Sequence, residues 1–293
     1  MSHAIKAASG MGAVTEAAPA KLNLALHVRE RMADGYHALE TLFVFADVGD
    51  ALTLEGDAPP GHYPLAIDGP FASALADDPD NLVVRAARTL AQAAGVARGA
   101  RLRLAKWLPV ASGLGGGSAD AAATLRLLNR HWALHWPLER LAQLGAALGA
   151  DVPACVHARP LRGTGRGEQL EPVAFAGAWA VLANPGVAVP TGPVFRAWDG
   201  VDRGPLARGD ALAAARAGRN DLEGPAIALA PPVADALAAL AALPGAGLTR
   251  MSGSGATCFA LMPDEAAARA GAAALARAWP GWWVSATRLA AST

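Results

Sequence analysis

Between residues 21 and 28 apolar and polar positions alternate: Leu22, Leu24, Leu26 and Val28 point one way, Lys21, Asn23, Ala25 and His27 the other. A period of two is that of a strand with one buried face. Asp34-Gly35 marks a tight turn, and residues 39–45 form a second apolar strand. Asp80-Asn81 opens a helix that runs to Ala94 and is closed by Gly95. Residues 101–106 alternate again and predict a strand. A glycine-rich loop over 110–117 follows, then a helix over 118–129. Pro137 stands in the first turn of a further helix that ends near Gly149.

The texture then changes. Arg162-Gly-Thr-Gly-Arg-Gly-Glu168 is rich in turns, and residues 179–183 predict a buried strand. Helices are expected over 191–198, 206–217 and 232–243. A short stretch at 248–251 leads into a Ser252-Gly-Ser-Gly255 loop, followed by a strand over 257–262, a helix over 264–278 and a strand over 282–287. No internal repeat is visible. The expected architecture is therefore α+β in two lobes, with a loose tail over 1–18, an N-terminal lobe over 19–168 and a C-terminal lobe over 169–293.

Composition narrows the picture. Hydrophobic residues make up 53% and charged ones 17%, which excludes extended disorder. Basic and acidic side chains balance at 25 each, with the arginines scattered, so nucleic acid is not the expected partner. The two cysteines, Cys155 and Cys258, are too few for a disulfide scaffold and suit small buried positions in a reducing cytoplasm. Residues 1–18 hold no apolar run of the kind a signal peptide needs. The longest apolar stretch, over 225–248, is broken by Pro231, Pro232, Asp235 and Pro244, and predicts a helix rather than a membrane span. His131 and His135 are spaced to share a helix face, but no carboxylate stands between them, and a solvated helix end is the expectation. Trp279, Trp282 and Trp283 are expected to pack with the last strand.

The sharpest chemistry lies in Gly113-Leu-Gly-Gly-Gly-Ser-Ala119. Glycines let backbone N–H groups approach an anion, and the helix opening at Ser118 adds its dipole. A flexible strand–helix connector is the bland alternative. The spacing is neither that of a P-loop nor that of a dinucleotide fingerprint. Lys21 and Asn23 share one strand face, which a solvated edge strand would explain equally well. Asp151, in Gly149-Ala-Asp-Val-Pro153, reads as a carboxylate in a tight apolar turn or as a plain helix end.

Taken in order, these segments resemble the GHMP kinases, a superfamily of small-molecule kinases. The resemblance rests on Pro109-x-x-x-Gly113-Leu-Gly-x-x-Ser118-Ala119 and on Ala20-Lys21-Leu22-Asn23, Asp34-Gly35-Tyr36-His37 and Asp80-Asn81-Leu82. It continues through Gly149–Pro153, Pro185-Gly186 with Pro190-Thr191, Asn220-Asp221 and Ser252–Ala256. Gly192 is an extra residue between Thr191 and Pro193 relative to that pattern. The fold this implies is a ribosomal-protein-S5-like N-terminal lobe with a ferredoxin-like C-terminal lobe. The implied activity is ATP-dependent phosphorylation, with Mg²⁺ on the nucleotide, of a hydroxyl on a small cytidine-diphosphate derivative of methylerythritol. By likeness, Asp151 is the base and Lys21 stabilises charge on the transferred group. Pro109, Val110, Ala111, Ser112, Gly113, Leu114, Gly115, Gly116, Gly117, Ser118 and Ala119 hold the ATP phosphates, while Asn81 and Lys106 contact the adenosine side. Asn23, Tyr36, His37, Thr191 and Phe195 take the substrate, with Tyr36 and Phe195 on the two faces of cytosine and His37 at its edge. No protein ligand for the metal is implied.

Overall fold

The computed structural model describes residues 14–75 and 80–292. Most of the expected tail lies outside these residues, but its last five, from Val14 to Ala18, already belong to the first strand. Strands β1 (Val14–Arg31) and β2 (His37–Ala58) form one antiparallel hairpin, paired from Val14 with Leu54 to Arg31 with His37. Both are far longer than local alternation predicts. Asp47, Gly49 and Asp50 interrupt the apolar pattern of β2, yet the strand continues because its other edge is also occupied. That edge meets in turn β5 (Leu161–Thr164), Leu289 of β10 (Trp283–Leu289) and β4 (Gly99–Ala105). Pairing along both edges satisfies the backbone groups whatever the side chains are.

In the N-terminal half, β3 (Leu65–Asp68) runs parallel to β4. The layer is covered by α1 (Leu82–Ala94), α2 (Gly116–His131), α3 (Leu138–Gly145) and α4 (Val152–His157). Leu102 and Leu104 of β4 join one core with Val83, Leu90, Leu125, Leu128 and Val152 of these helices. The ends of α1 are as the sequence predicts: Asn81 accepts the N–H of Val83 at 3.0 Å, and Gly95 closes the helix in the left-handed region. Helix α3 stops at Gly145, short of Gly149, because the chain tightens there and the Leu148 N–H reaches only back to the Gly145 carbonyl.

Beyond β6 (Gln169–Pro172), which pairs with β5, a second antiparallel layer is ordered β10, β7 (Ala178–Asn184), β9 (Cys258–Met262) and β8 (Thr249–Met251). Around it lie α5 (Thr191–Arg196), α6 (Ala211–Ala217), α7 (Glu223–Leu229), α8 (Pro232–Ala241) and α9 (Glu265–Ala278). Val181, Ala183 and Ala260 share a core with Val233 and Leu240 of α8 and Leu275 of α9. The helix expected from 206 begins only at Ala211. Pro205 and Gly209 keep the preceding segment irregular, and Asp210 caps the N–H groups of Leu212 and Ala213 at 2.9 and 3.0 Å.

Strand β1 joins the two layers. Leu22 and Leu24 lie in an apolar cluster with Ala180, Leu182 and Phe259, and the opposite face, bearing Lys21 and Asn23, is buried too. The single buried face expected of β1 is thus wrong. A strand between two layers has no solvent side, and its polar residues find their partners inside the protein instead. Both cysteines are buried and unpaired, and burial, reinforced by the nearby Asp151, pushes the Cys155 thiol up to about 12. Trp279 departs from expectation: it is 40% exposed and stacks flat on Trp282 at 4.3 Å. No helix among the described residues is long and apolar enough to cross a membrane.

Candidate active site

After β4 the chain opens α2 with Gly115 as its N-cap, at φ 62°. The Gly115 carbonyl accepts the N–H of Ala119 at 2.8 Å. The N–H groups of Gly116, Gly117 and Ser118 therefore have no acceptor inside the helix, and they lie at the positive end of its dipole. Absence of a side chain at Gly115 is structural as well as chemical, since a Cβ there would stand 2.9 Å from Lys21 Cε. At Gly113 a Cβ would stand 2.3 Å from the Ser252 carbonyl oxygen.

That second approach knits the two glycine loops to β1. The Ser252 hydroxyl donates to the Gly113 carbonyl at 3.0 Å and accepts the Asn23 N–H at 3.1 Å. The Lys21 N–H donates to Leu114 and the Thr257 N–H to Ser112, each at 2.9 Å. Asn220 steadies the Ser252–Gly255 loop from behind by donating to the carbonyls of Met251 and Gly253, both at 2.8 Å.

Lys21 Nζ lies 2.8 Å from Asp151 Oδ2 and donates to Asn23 Oδ1 at 2.9 Å. Asn23 in turn donates to the Thr41 hydroxyl, which donates to the Ala25 carbonyl, each at 2.7 Å. This relay fixes the buried ammonium from the β2 side. Asp151 stands between α3 and α4, and its side chain caps no helix N–H. With its side chain 35% exposed against 4% for Lys21, the carboxylate is the open member of the pair. It can receive a proton from a bound molecule without breaking any backbone contact.

The pair, the loop, Tyr36, His37, Thr191 and Phe195 all line one cavity of about 670 Å³. Tyr36 is 56% exposed at the mouth. His37 is buried, its ring tilted against Phe195 at 5.1 Å and edge-on to Trp198 at 5.8 Å. Burial, and then the charge of Arg31, push the His37 ring below its ordinary value of 6.5. The extra Gly192 is absorbed within α5, and Phe195 still reaches the cavity wall.

Several expected residues do other work. Asn81 spends its side-chain oxygen capping α1 and does not line the cavity. Lys106, expected beside adenosine, is turned inward: its ammonium pairs with Asp50 at 2.5 Å and Asp120 at 2.8 Å under the loop. Burial would lower this ammonium, but the two carboxylates outweigh it and raise it. Pro109, Val110, Leu114 and Ala119 likewise stay off the cavity wall, with Leu114 and Ala119 in the core, whereas Ala111, Ser112, Gly113 and residues 115–118 line it. Sequence reasoning missed Thr41, Phe43, Arg166 and Arg196, which also line the cavity. A signal existed for Arg166, an arginine between glycines in a turn-rich stretch.

An anion cradle facing a lysine–carboxylate pair is the equipment of an enzyme that moves a phosphoryl group onto a small molecule. Comparison with known proteins agrees. The family described as GHMP kinases N terminal domain matches residues 81–159, and that described as GHMP kinases C terminal matches 204–281. This chain belongs to the GHMP kinases. A Rhizorhabdus wittichii protein named 4-diphosphocytidyl-2-C-methyl-D-erythritol kinase is 57% identical over 280 residues, covering 94% of each chain. A Cereibacter sphaeroides protein of the same name is 54% identical over 288 residues, covering 94% of this chain and all of the relative. Among solved structures, a 4-(cytidine 5'-diphospho)-2C-methyl-D-erythritol kinase superposes with a TM-score of 0.77 at 38% identity, covering 95% of this chain and all of that one. A Cytophaga hutchinsonii homoserine kinase, at 17% identity and a TM-score of 0.67, covers 98% of this chain and 97% of its own and shares the fold.

Proposed function

We propose that this chain is a cytoplasmic ATP-dependent kinase acting on the 2-hydroxyl of 4-diphosphocytidyl-2-C-methyl-D-erythritol, in the non-mevalonate route to isoprenoid precursors. The observation that carries the reading is the continuity of one cavity from the Lys21–Asp151 pair to Tyr36, His37 and Phe195. The names of the 57% and 54% identical relatives support the same substrate. Homoserine and mevalonate offer no flat base, and a cavity ending in two aromatic rings and a histidine would have nothing to grip in them. The expected boundaries at 19 and 168 give way to an N-terminal lobe over 14–172, since β1 begins at Val14 and β6 pairs with β5, and the C-terminal lobe follows it, with the cavity lined from both.

In this reading the free N–H groups of Gly116, Gly117 and Ser118 receive the triphosphate of ATP. Asp151 takes the proton of the substrate hydroxyl as that oxygen bonds to the γ-phosphorus and the bond from the γ-phosphorus to the bridging oxygen breaks, releasing ADP; such a base contributes typically ~10²–10⁴ in rate. Lys21 stays bound to Asn23 throughout and offers its charge to the phosphoryl oxygens in transit. Ser118 and Asp151 present hard oxygen donors beside the phosphate cradle, which fits Mg²⁺ held chiefly by the nucleotide. When bound, the ion supplies neutralisation of phosphate charge. Tyr36 and Phe195 sandwich cytosine, and His37, its ring pushed toward the neutral form by burial, reads its edge. A coupled ADP-release assay tests the reading: turnover with the cytidine-diphosphate substrate and none above background with homoserine or mevalonate is expected. The reverse preference would overturn it.

A further inference from the structure

Tyr36 presents a puzzle for a ring that must hold a base. It sits in an exposed turn, more than half open to solvent, where a tyrosine would ordinarily turn about both side-chain torsions. Every rotamer lost on binding weakens the stack, so a platform ring needs an external constraint.

The constraint is visible. The β5–β6 hairpin hangs from β2 through the pairing of Leu161, Arg162 and Gly163 with Phe43, Leu42 and Thr41. Its tip is anchored where the Leu39 N–H donates to the Gly165 carbonyl at 2.7 Å. From that tip Arg166 lays its guanidinium over the Tyr36 ring, 4.3 Å from the centroid. The same guanidinium pairs with Asp34, whose other oxygen accepts the Tyr36 N–H at 3.0 Å. Asp34 thus holds the backbone of Tyr36 and the cation on its ring, while Glu168 accepts the Arg166 N–H at 2.7 Å and fixes the turn. All three of Asp34, Tyr36 and Arg166 line the cavity.

We propose that Arg166 is a positioning residue for substrate recognition: latched by Asp34, it occupies one face of Tyr36, sets the ring's orientation, and leaves the other face for the base. This rests on the reading of Tyr36 as the cytosine platform. A cation on one π-face holds the ring by the attraction of its quadrupole. A pyrimidine then completes a stack of guanidinium, phenol and base. The residue acts through Tyr36 and has no part in the chemical step.

The test is a double-mutant cycle on Tyr36→Ala and Arg166→Ala, with KM for the cytidine-diphosphate substrate, KM for ATP and kcat measured for each protein, and calorimetric binding of CDP as a probe of the base end alone. Arg166→Ala is expected to raise the cytidine-substrate KM and the CDP Kd by about 2–5-fold, at unchanged ATP KM, as a cation–π contact at an exposed site implies. In the Tyr36→Ala background the same change should have no further effect. Asp34→Asn, which keeps the turn acceptor but removes the ion pair, should reproduce part of the loss. Additive effects of the two alanine substitutions would overturn the proposal, because Arg166 would then touch the substrate directly. An effect of Tyr36→Ala without one of Arg166→Ala would overturn it as well. If Tyr36→Ala itself left the cytidine-substrate KM and CDP binding unchanged, the platform reading would fall, and the latch with it.

Discussion

Lys21 and Asp151 meet at 2.8 Å across the N-terminus of α2, directly beside the place where a Gly115 side chain would be. The lysine is held by Asn23 and buried; the carboxylate is partly open and caps nothing. This asymmetry supports the proposed roles, since the group with free lone pairs is the one able to take up a proton. Asp151→Asn preserves shape and removes the proton acceptor. It is expected to lower kcat by ~10²–10⁴-fold while ATP affinity, read by calorimetry, is kept. A variant turning over near the wild-type rate would remove Asp151 from the mechanism.

Gly115 and Gly117 should separate cleanly although both belong to the same run. Gly115 has φ 62° and a Cβ there would press on Lys21 Cε, whereas a Cβ on Gly117 would meet only the tip of Leu82, at 3.3 Å. Left-handed backbone costs an L-residue ~1–2 kcal/mol, so Gly115→Ala is expected to lower Tm by roughly 1.5–3.5 °C and to displace the lysine. Gly115→Val adds branching to the same clash, and its nucleotide affinity should fall with the fold retained by circular dichroism. Gly117→Ala sits inside the helix, where alanine is the better former by ~1 kcal/mol, and its Tm should not fall. Equal Tm losses at the two positions would show that the loop tolerates neither side chain for reasons other than those drawn from the structure.

His37 offers a pH test. Its ring is pushed below 6.5 by burial first and by Arg31 second, and Arg31 Nε approaches His37 Nε2 at 3.4 Å. A lowered histidine keeps its neutral ring to more acid pH than an ordinary one, so substrate recognition by the wild-type protein should hold to lower pH than an unperturbed ring would allow. Arg31→Gln removes the second cause and moves the ring back toward 6.5. The variant's kcat/KM for the cytidine substrate should therefore begin to fall at a higher pH than that of the wild type as acid is added. Superimposable acid limbs in the two profiles would mean that His37 does not face the base.

The parts of this molecule that were legible in the sequence are those encoded within a few residues. The cap at Asn81 and the stop at Gly95 are local grammar, and so is the glycine run that opens α2 just before Ser118. The Lys21–Asp151 pair was legible only because its two halves fall in separate short motifs that resemble a known family; nothing in the chain between them says that Lys21 reaches Asp151. The length of β2 was hidden because Asp47, Gly49 and Asp50 break the apolar pattern, and only pairing on both edges carries the strand through. Lys106 misled for the same reason. A lysine at a strand end looks solvated or ligand-bound until Asp50 and Asp120, from two other elements, are brought to it.

That buried cluster supplies the last prediction. Asp50 receives Lys106 and the N–H groups of Trp107 and Leu108, at 2.6 and 2.9 Å. Asp120 meets Lys106 at 2.8 Å through Oδ2, while its Oδ1 is buried without a hydrogen-bond partner among the described residues. Desolvation, opposed by Lys106 and reinforced by the Asp50 charge, pushes the Asp120 carboxyl up to about 7. The unfolded chain releases that proton near 4. Between these values the folded state binds more protons than the unfolded one, so this group's contribution to stability declines as pH rises from about 4 to 7 and is constant above. Asp120→Asn removes the titration, keeps an oxygen for Lys106, and leaves the ammonium paired with Asp50. The Tm of the variant minus that of the wild type should therefore increase across pH 4.5–7 and then level off. A difference that stayed flat over the whole range would show that Lys106 holds Asp120 ionised inside the protein, with the support beneath the phosphate loop permanently charged.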